Sequence, residues 1–153
     1  SCLAKAVGRE GMIGGQVIDM ENEERSDVDE ANLRNMYRHK TGQLIAVSCM
    51  MGCICAGADD AKIQAAADYG FKLGLAFQII DDILDVTSTT EELGKPVGSD
   101  AEENKTTFVT LYGVEKAGET ANTITEEALS CLAEFKNDAF LTELTEMLLK
   151  RKN

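Results

Sequence analysis

Asp81, Asp82 and Asp85 stand in the run Gln78-Ile79-Ile80-Asp81-Asp82-Ile83-Leu84-Asp85, inside an otherwise apolar stretch from Phe71 to Val86. On an α-helix, residues three and four apart share a face. The three carboxylates therefore converge over about one turn, with Gln78 on the same stripe. Like charges so placed repel one another and favour their neutral forms unless a cation offsets them. A donor set of carboxylate oxygens suits hard Mg²⁺ rather than zinc, and a Mg²⁺–diphosphate unit is the expected occupant. The competing explanation is a solvated polar face or a capping cluster, since carboxylates are mostly surface residues. Against it, Leu73, Leu75, Ala76, Phe77, Ile79, Ile80, Ile83, Leu84 and Val86 are apolar on too many faces for a surface helix. A central helix with carboxylates lining a cavity is the better fit.

A diphosphate also needs positive charge from the protein. Lys40 adjoins Thr41, and the two together can donate to one diphosphate. Lys95 follows Gly94 and Lys105 follows Asn104, flanking a segment directly after the aspartates. Loop lysines are usually only solvated. Beside the aspartates, Lys40, Lys95 and Lys105 would neutralise the phosphate charge left over by the metal. Gln16 and Asp19 repeat the pattern of polar groups in an apolar helix, though alone they read as a polar helix edge. The single histidine, His39, is given no role.

These groups need helices to position them. Cys2 to Met20 has apolar residues at helical spacing. Its glycines, Gly8, Gly11, Gly14 and Gly15, each cost about 1 kcal/mol against alanine, which implies close approach of another backbone or a ligand. Glu21 to Asp29 reads as a charged loop. Asp29 or Asn32 then caps a helix running through Arg34, Tyr37 and Leu44 toward Cys55. Gly57 to Asp60 is a turn with Asp59 as N-cap, and the aspartate helix spans Ala61 to Val86. Thr87 to Asn104 loses the apolar period, carries Gly94, Pro96 and Gly98, and is long enough for a functional lid. Three more helices follow: Thr106 to Tyr112 closed by Gly113, Val114 to Phe135, and Asp138 to Lys150, the last burying Phe140, Leu141, Leu144, Met147 and Leu148. Period-two alternation is nowhere sustained, so the chain reads as all-α.

The chain has 153 residues, 44% hydrophobic and 27% charged, which fits one folded domain. A net charge of −12 argues against nucleic acid as a partner. The longest uncharged apolar run, Leu44 to Ala58, is short of the roughly 20 residues of a membrane span. Five cysteines without a CxxC pair suggest buried thiols at Cys49, Cys53 and Cys55 and a reducing cytoplasm.

Taken in order, Gly14-Gly15-Gln16-x-x-Asp19, Lys40-Thr41-Gly42, Phe77-Gln78-x-x-Asp81-Asp82-x-x-Asp85, Gly94-Lys95-Pro96-x-Gly98-x-Asp100 and Asn104-Lys105 resemble the C-terminal half of a class I trans-polyprenyl diphosphate synthase, nearest to the farnesyl or geranyl diphosphate synthase type. The similarity runs over the whole of 1–153, read as the C-terminal portion of a single synthase domain. The resemblance implies an all-helical isoprenoid-synthase bundle around a deep cavity, usually homodimeric. Asp81 and Asp85 would bind Mg²⁺ with Asp82 in support. Lys40 and Lys95 would hold the allylic diphosphate, and Thr41 and Gln78 would lie near the ionising carbon. Gln16, Asp19 and Phe77 would support the site.

The implied reaction is head-to-tail transfer of an allylic group, dimethylallyl or geranyl, to isopentenyl diphosphate. The first aspartate-rich motif of the family and the arginine pair after it do not occur in this sequence. This polypeptide is therefore expected to be a synthase fragment, inactive by itself, whose uncovered apolar faces favour association. A terpene cyclase and a non-catalytic helical interaction domain are the alternatives; the pairing of Lys40-Thr41 with Gly94-Lys95 favours the synthase over both.

Overall fold

The computed structural model describes residues 1–88 and 105–150. Every regular element among them is helical: α1 (Cys2–Val7), α2 (Met12–Glu23), α3 (Glu30–Tyr37), a π-helical turn (Arg38–Gly42), α4 (Gln43–Cys55), α5 (Asp60–Thr87), α6 (Phe108–Tyr112), α7 (Val114–Cys131), a 3₁₀ turn (Leu132–Glu134) and α8 (Ala139–Lys150). Local chemistry sets most of the boundaries. Asp29 and Asn32 cap α3 reciprocally, Asp29 Oδ1 accepting from the Asn32 N–H at 2.8 Å and Asn32 Oδ1 from the Asp29 N–H at 3.2 Å. Thr107 and Thr110 repeat the device at α6. Asp59 caps α5 through the Lys62 N–H at 2.9 Å. Gly113 ends α6 at φ 81°, where a side chain would be strained.

The 28-residue α5 is the axis of the bundle, roughly 42 Å long at 1.5 Å per residue. It packs most extensively on α7 along one side and on α4 along another. The chain from α3 through the π turn to α4 runs antiparallel to it, pairing Tyr37 with Asp82, Thr41 with Gln78, Gly42 with Gly74 and Ala46 with Gly70. Glycine makes the closest of these approaches possible. A Cβ at Gly74 would sit 2.8 Å from Gly42 Cα, and one at Gly70 would sit 2.5 Å from Ala46 Cα.

The core divides along α5. Toward the aspartate end, Leu33, Met36, Tyr37, Ala76, Ile79, Phe108, Ala117 and Ala121 form one buried cluster; toward the other end, Tyr69, Leu73, Ala128 and Leu132 form a second. Each large apolar side chain so buried contributes about 1.5–3 kcal/mol.

Several boundaries differ from expectation. Cys2 to Met20 is two helices, because the glycines let the chain double back: a Cβ at Gly11 would lie 1.9 Å from the Ala6 carbonyl oxygen. Helix α2 continues to Glu23, so the charged loop starts at Glu24. In α8 the inward face is built from the buried Thr145 and the half-buried Leu141, Leu144, Leu148 and Leu149, while Phe140 and Met147 are 73% and 60% exposed. Thr145 turns the helix this way by satisfying the buried Tyr69 hydroxyl at 2.8 Å. Cys55 is exposed and Cys49 and Cys53 only half-buried, since α4 lies at the edge of the bundle. The Gly94–Asp100 motif, with Lys95, and Asn104 fall outside the described residues.

Candidate functional site

The aspartate-bearing end of α5 is met by α3, the π turn and α6, and α2 packs on the π turn. A π turn takes one residue more than an α turn and is frequent at functional sites. Here it carries Lys40 and Thr41. Helix α2 is seated directly on it: a Cβ at Gly15 would lie 2.2 Å from the Lys40 backbone nitrogen, so only glycine permits the contact.

One turn further along α2, the buried Asp19 accepts a hydrogen bond from Lys40 Nζ at 2.6 Å. One turn beyond that, Glu23 Oε1 lies 3.3 Å from Lys105 Nζ. Helix α2 thus aligns two of the sequence-predicted lysines with its own carboxylates, Asp19 and Glu23 being four residues apart on one face. Gln16 is exposed on this helix. Thr41 Oγ1 donates a hydrogen bond to Gln78 Oε1, joining the π turn to α5 one turn before Asp81 and Asp82. Lys40, Thr41, Gln78, Asp19 and Lys105 are therefore gathered around one end of α5.

The aspartates do not project into bulk water. Asp85 is 1% exposed, Asp82 5%, and Asp81 half-buried. Phe77 is half-buried on the same stretch. The Asp82 carboxylate is clasped by protein donors, accepting from the Tyr37 hydroxyl at 2.8 and 3.0 Å and from the Phe108 backbone N–H at 3.1 Å. Those bonds offset the cost of burying its charge and turn it toward α3 and α6. Asp81 and Asp85, four residues apart, lie on one face of the same helix.

Neighbouring contacts brace the same corner. Tyr37 stacks on Phe108 with ring centroids 6.1 Å apart. Glu30 accepts from Tyr112 at 2.5 Å and from Arg34 at 2.7 Å, and these two donors, Tyr112 first, hold its carboxyl below the usual range.

The donor chemistry fits Mg²⁺ in one specific sense. No group of three or more His, Cys, Asp or Glu side chains among the described residues is arranged as a ready-made metal cage. Carboxylates one turn apart supply a partial set, and Mg²⁺ characteristically completes such a set with water and substrate phosphate.

Tyr37, Glu23 and Phe108 were not expected from sequence. Only Tyr37 left a signal, as a hydroxyl-bearing aromatic on the apolar stripe of α3 three residues before Lys40.

Residues 4–148 match the family model described as polyprenyl synthetase. The chain belongs to the polyprenyl synthetase family. Among the relatives of this polyprenyl synthetase chain, the geranylgeranyl diphosphate synthase of Cyanophora paradoxa is 37% identical over 152 residues, covering 99% of this chain and 51% of that protein. The dimethylallyltranstransferase of Fischerella ambigua is 39% identical over 150 residues, covering 97% and 43%.

The geranyltransferase of Helicobacter pylori, solved with magnesium and isoprenyl diphosphate, superposes with a TM-score of 0.79 at 35% identity, over 97% of this chain and 48% of that one. The polyprenyl synthase of Caulobacter crescentus, solved with calcium and isoprenyl diphosphate, gives 0.88 at 26% identity, over 99% and 58%. The all-α architecture is that of these synthases. The chain spans about half the length of the relatives it matches.

Proposed function

We propose that this chain is the C-terminal, diphosphate-binding part of a trans-prenyltransferase that joins an allylic diphosphate to isopentenyl diphosphate. One observation carries the reading: the π turn bearing Lys40 and Thr41 is hydrogen-bonded along the aspartate-bearing end of α5, through Thr41 to Gln78 and Tyr37 to Asp82. Groups suited to diphosphate, to a hard cation and to a developing carbocation are thereby held together.

In this reading Lys40 and Lys105 donate to the allylic diphosphate, pre-aligned by Asp19 and Glu23, and Lys95 adds a third ammonium. Asp81 and Asp85 hold Mg²⁺, which when bound supplies the positive charge that favours departure of diphosphate. The C–O bond of the allylic substrate breaks, and its electron pair leaves with the diphosphate. Thr41 and Gln78 present oxygen lone pairs near the cation left behind. The double bond of isopentenyl diphosphate then attacks, and a proton passes to the released diphosphate.

The relatives' names weight the product toward geranylgeranyl rather than farnesyl diphosphate. The same reading includes a homodimeric parent enzyme in the cytoplasm, with five free cysteines suited to a reducing compartment. No helix among the described residues is long and apolar enough to cross a membrane.

The test is Mg²⁺-dependent thermal stabilisation by inorganic pyrophosphate. Stabilisation of the parent chain that Asp81→Ala abolishes is the expected result. Equal stabilisation of both proteins, or of neither, refutes it. Incubated alone with geranyl and isopentenyl diphosphates, the chain is expected to form no product.

A further inference from the structure

Asp82 is nearly as buried as Asp85, yet its two oxygens are engaged by groups from two other elements. The Tyr37 hydroxyl comes from the last residue of α3, immediately before the π turn that carries Lys40 and Thr41. The Phe108 N–H opens α6, three residues after Lys105. The clasp therefore joins the three stretches of chain that bear the candidate diphosphate groups. The Tyr37 ring is 3% exposed and stacks on Phe108, so the hydroxyl is delivered by a side chain with little room to move.

We infer that Tyr37 is a positioning residue, which by holding the supporting Asp82 sets the aspartate helix, the Lys40–Thr41 turn and the Lys105 segment in one arrangement without touching substrate or metal. The inference rests on the diphosphate reading above and deepens it. The Tyr37 hydroxyl reaches both oxygens of Asp82, one of which also accepts from the Phe108 N–H, so Tyr37 acts on the site through a carboxylate of the aspartate helix. A buried phenol hydroxyl beside a carboxylate has a polar purpose, because phenylalanine would fill the same space without the cost of burying an oxygen. Outer groups that orient metal-binding carboxylates typically govern affinity by about 10–100-fold when removed.

The experiment is calorimetric titration of the chain with inorganic pyrophosphate over a range of Mg²⁺ concentrations, for the parent, Tyr37→Phe, Asp82→Asn and Asp81→Asn. Tyr37→Phe is expected to weaken binding by about 10–100-fold and to move the Mg²⁺ midpoint upward. A variant that is only less stable loses competent protein and so lowers the stoichiometry, while the Mg²⁺ midpoint of the remainder stays put. Asp82→Asn keeps an amide oxygen that accepts from both donors and should stay within about 10-fold of the parent, whereas Asp81→Asn should fall more than about 100-fold.

Asp82→Asn falling as far as Asp81→Asn makes Asp82 a ligand and overturns the inference. So does a Tyr37→Phe variant that binds like the parent. A parent chain that takes up no pyrophosphate at any Mg²⁺ concentration refutes the diphosphate reading itself, and the positioning role with it. Amide hydrogen exchange of the unliganded proteins checks the clasp directly: Tyr37→Phe should accelerate exchange at Phe108 while leaving the Ala66–Leu73 stretch of α5 unchanged. Unaltered exchange at Phe108 also overturns the inference.

Discussion

Replacing Gly15 by alanine pits two effects of opposite sign against each other. In a helix interior, alanine is favoured over glycine by about 1 kcal/mol, so propensity alone predicts stabilisation. The added Cβ at position 15 would lie 2.2 Å from Lys40 N and 2.6 Å from His39 C, about 1.2 Å short of ordinary contact at 3.4 Å. Both obstructing atoms are backbone, so no rotamer change relieves the overlap, and α2 must move off the π turn. Overpacking of this kind costs about 1–3 kcal/mol or more. Because α2 carries Asp19, the movement also stretches the 2.6 Å contact with Lys40. With the overlap against unyielding backbone placing the cost at about 3 kcal/mol, the net expectation is a loss of about 2 kcal/mol, or a fall of roughly 4–8 °C in Tm for a chain of this size.

Gly118→Ala is the matched control. It sits inside α7 with nothing within 4 Å of the added Cβ, and should gain about 0.4–1 kcal/mol. Thermal unfolding followed by circular dichroism separates the two. A Gly15→Ala protein that melts at or above the parent would refute the claim that α2 is seated on the backbone of the π turn.

Lys40→Met removes the partner of a carboxylate whose side chain is only 10% exposed, and should cost about 1–3 kcal/mol in urea unfolding. Asp19→Asn retains an acceptor for the ammonium and should cost less. Glu30 has its carboxyl lowered by the Tyr112 hydroxyl and the Arg34 guanidinium. Its contribution to stability is therefore present above the ordinary value of 4.5 and is lost as pH falls through the lower folded-state value. The stability difference between parent and Glu30→Gln should accordingly be constant above pH 4.5 and shrink in more acid solution, as equilibrium unfolding at stepped pH would read. Phe140→Ser, at a position 73% exposed, should shift unfolding by less than about 0.5 kcal/mol.

The helices and most of the gathered site were legible in sequence because they follow from short-range rules. Asp29, Asp59 and Gly113 mark helix ends by local hydrogen bonding or backbone freedom, and the apolar surroundings of Asp81–Asp85 mark a buried helix. The glycines of α2 were legible as a cost that demanded a close neighbour, although the identity of that neighbour, the Lys40 backbone, depends on tertiary packing. The break at Gly8–Gly11 was hidden because glycine fits helix and turn alike. The rotation of α8 was hidden because it depends on Thr145 meeting Tyr69, a pairing 76 residues apart that no periodicity encodes. The Tyr37–Asp82–Phe108 clasp was hidden for the same reason. A side-chain hydroxyl on an apolar stripe gives no sign of which distant carboxylate it will reach.

The surplus residue between Arg38 and Gly42 has a consequence for how this helix pair tolerates change. Ahead of it, Tyr37 and Thr41 address α5 through polar tips; behind it, Gly42 and Ala46 do so through bare backbone. Because the π turn winds its extra residue into a single turn, deleting one residue there would restore ordinary winding with Tyr37 and the glycine seats still nearly in phase, whereas a deletion in the ordinary helix on either side would rotate one set against the other by about 100°. The extra residue acts as an index mark. It marks the place where a residue can be lost while the two halves keep their alignment, the disturbance falling on Lys40 and Thr41 within the turn itself.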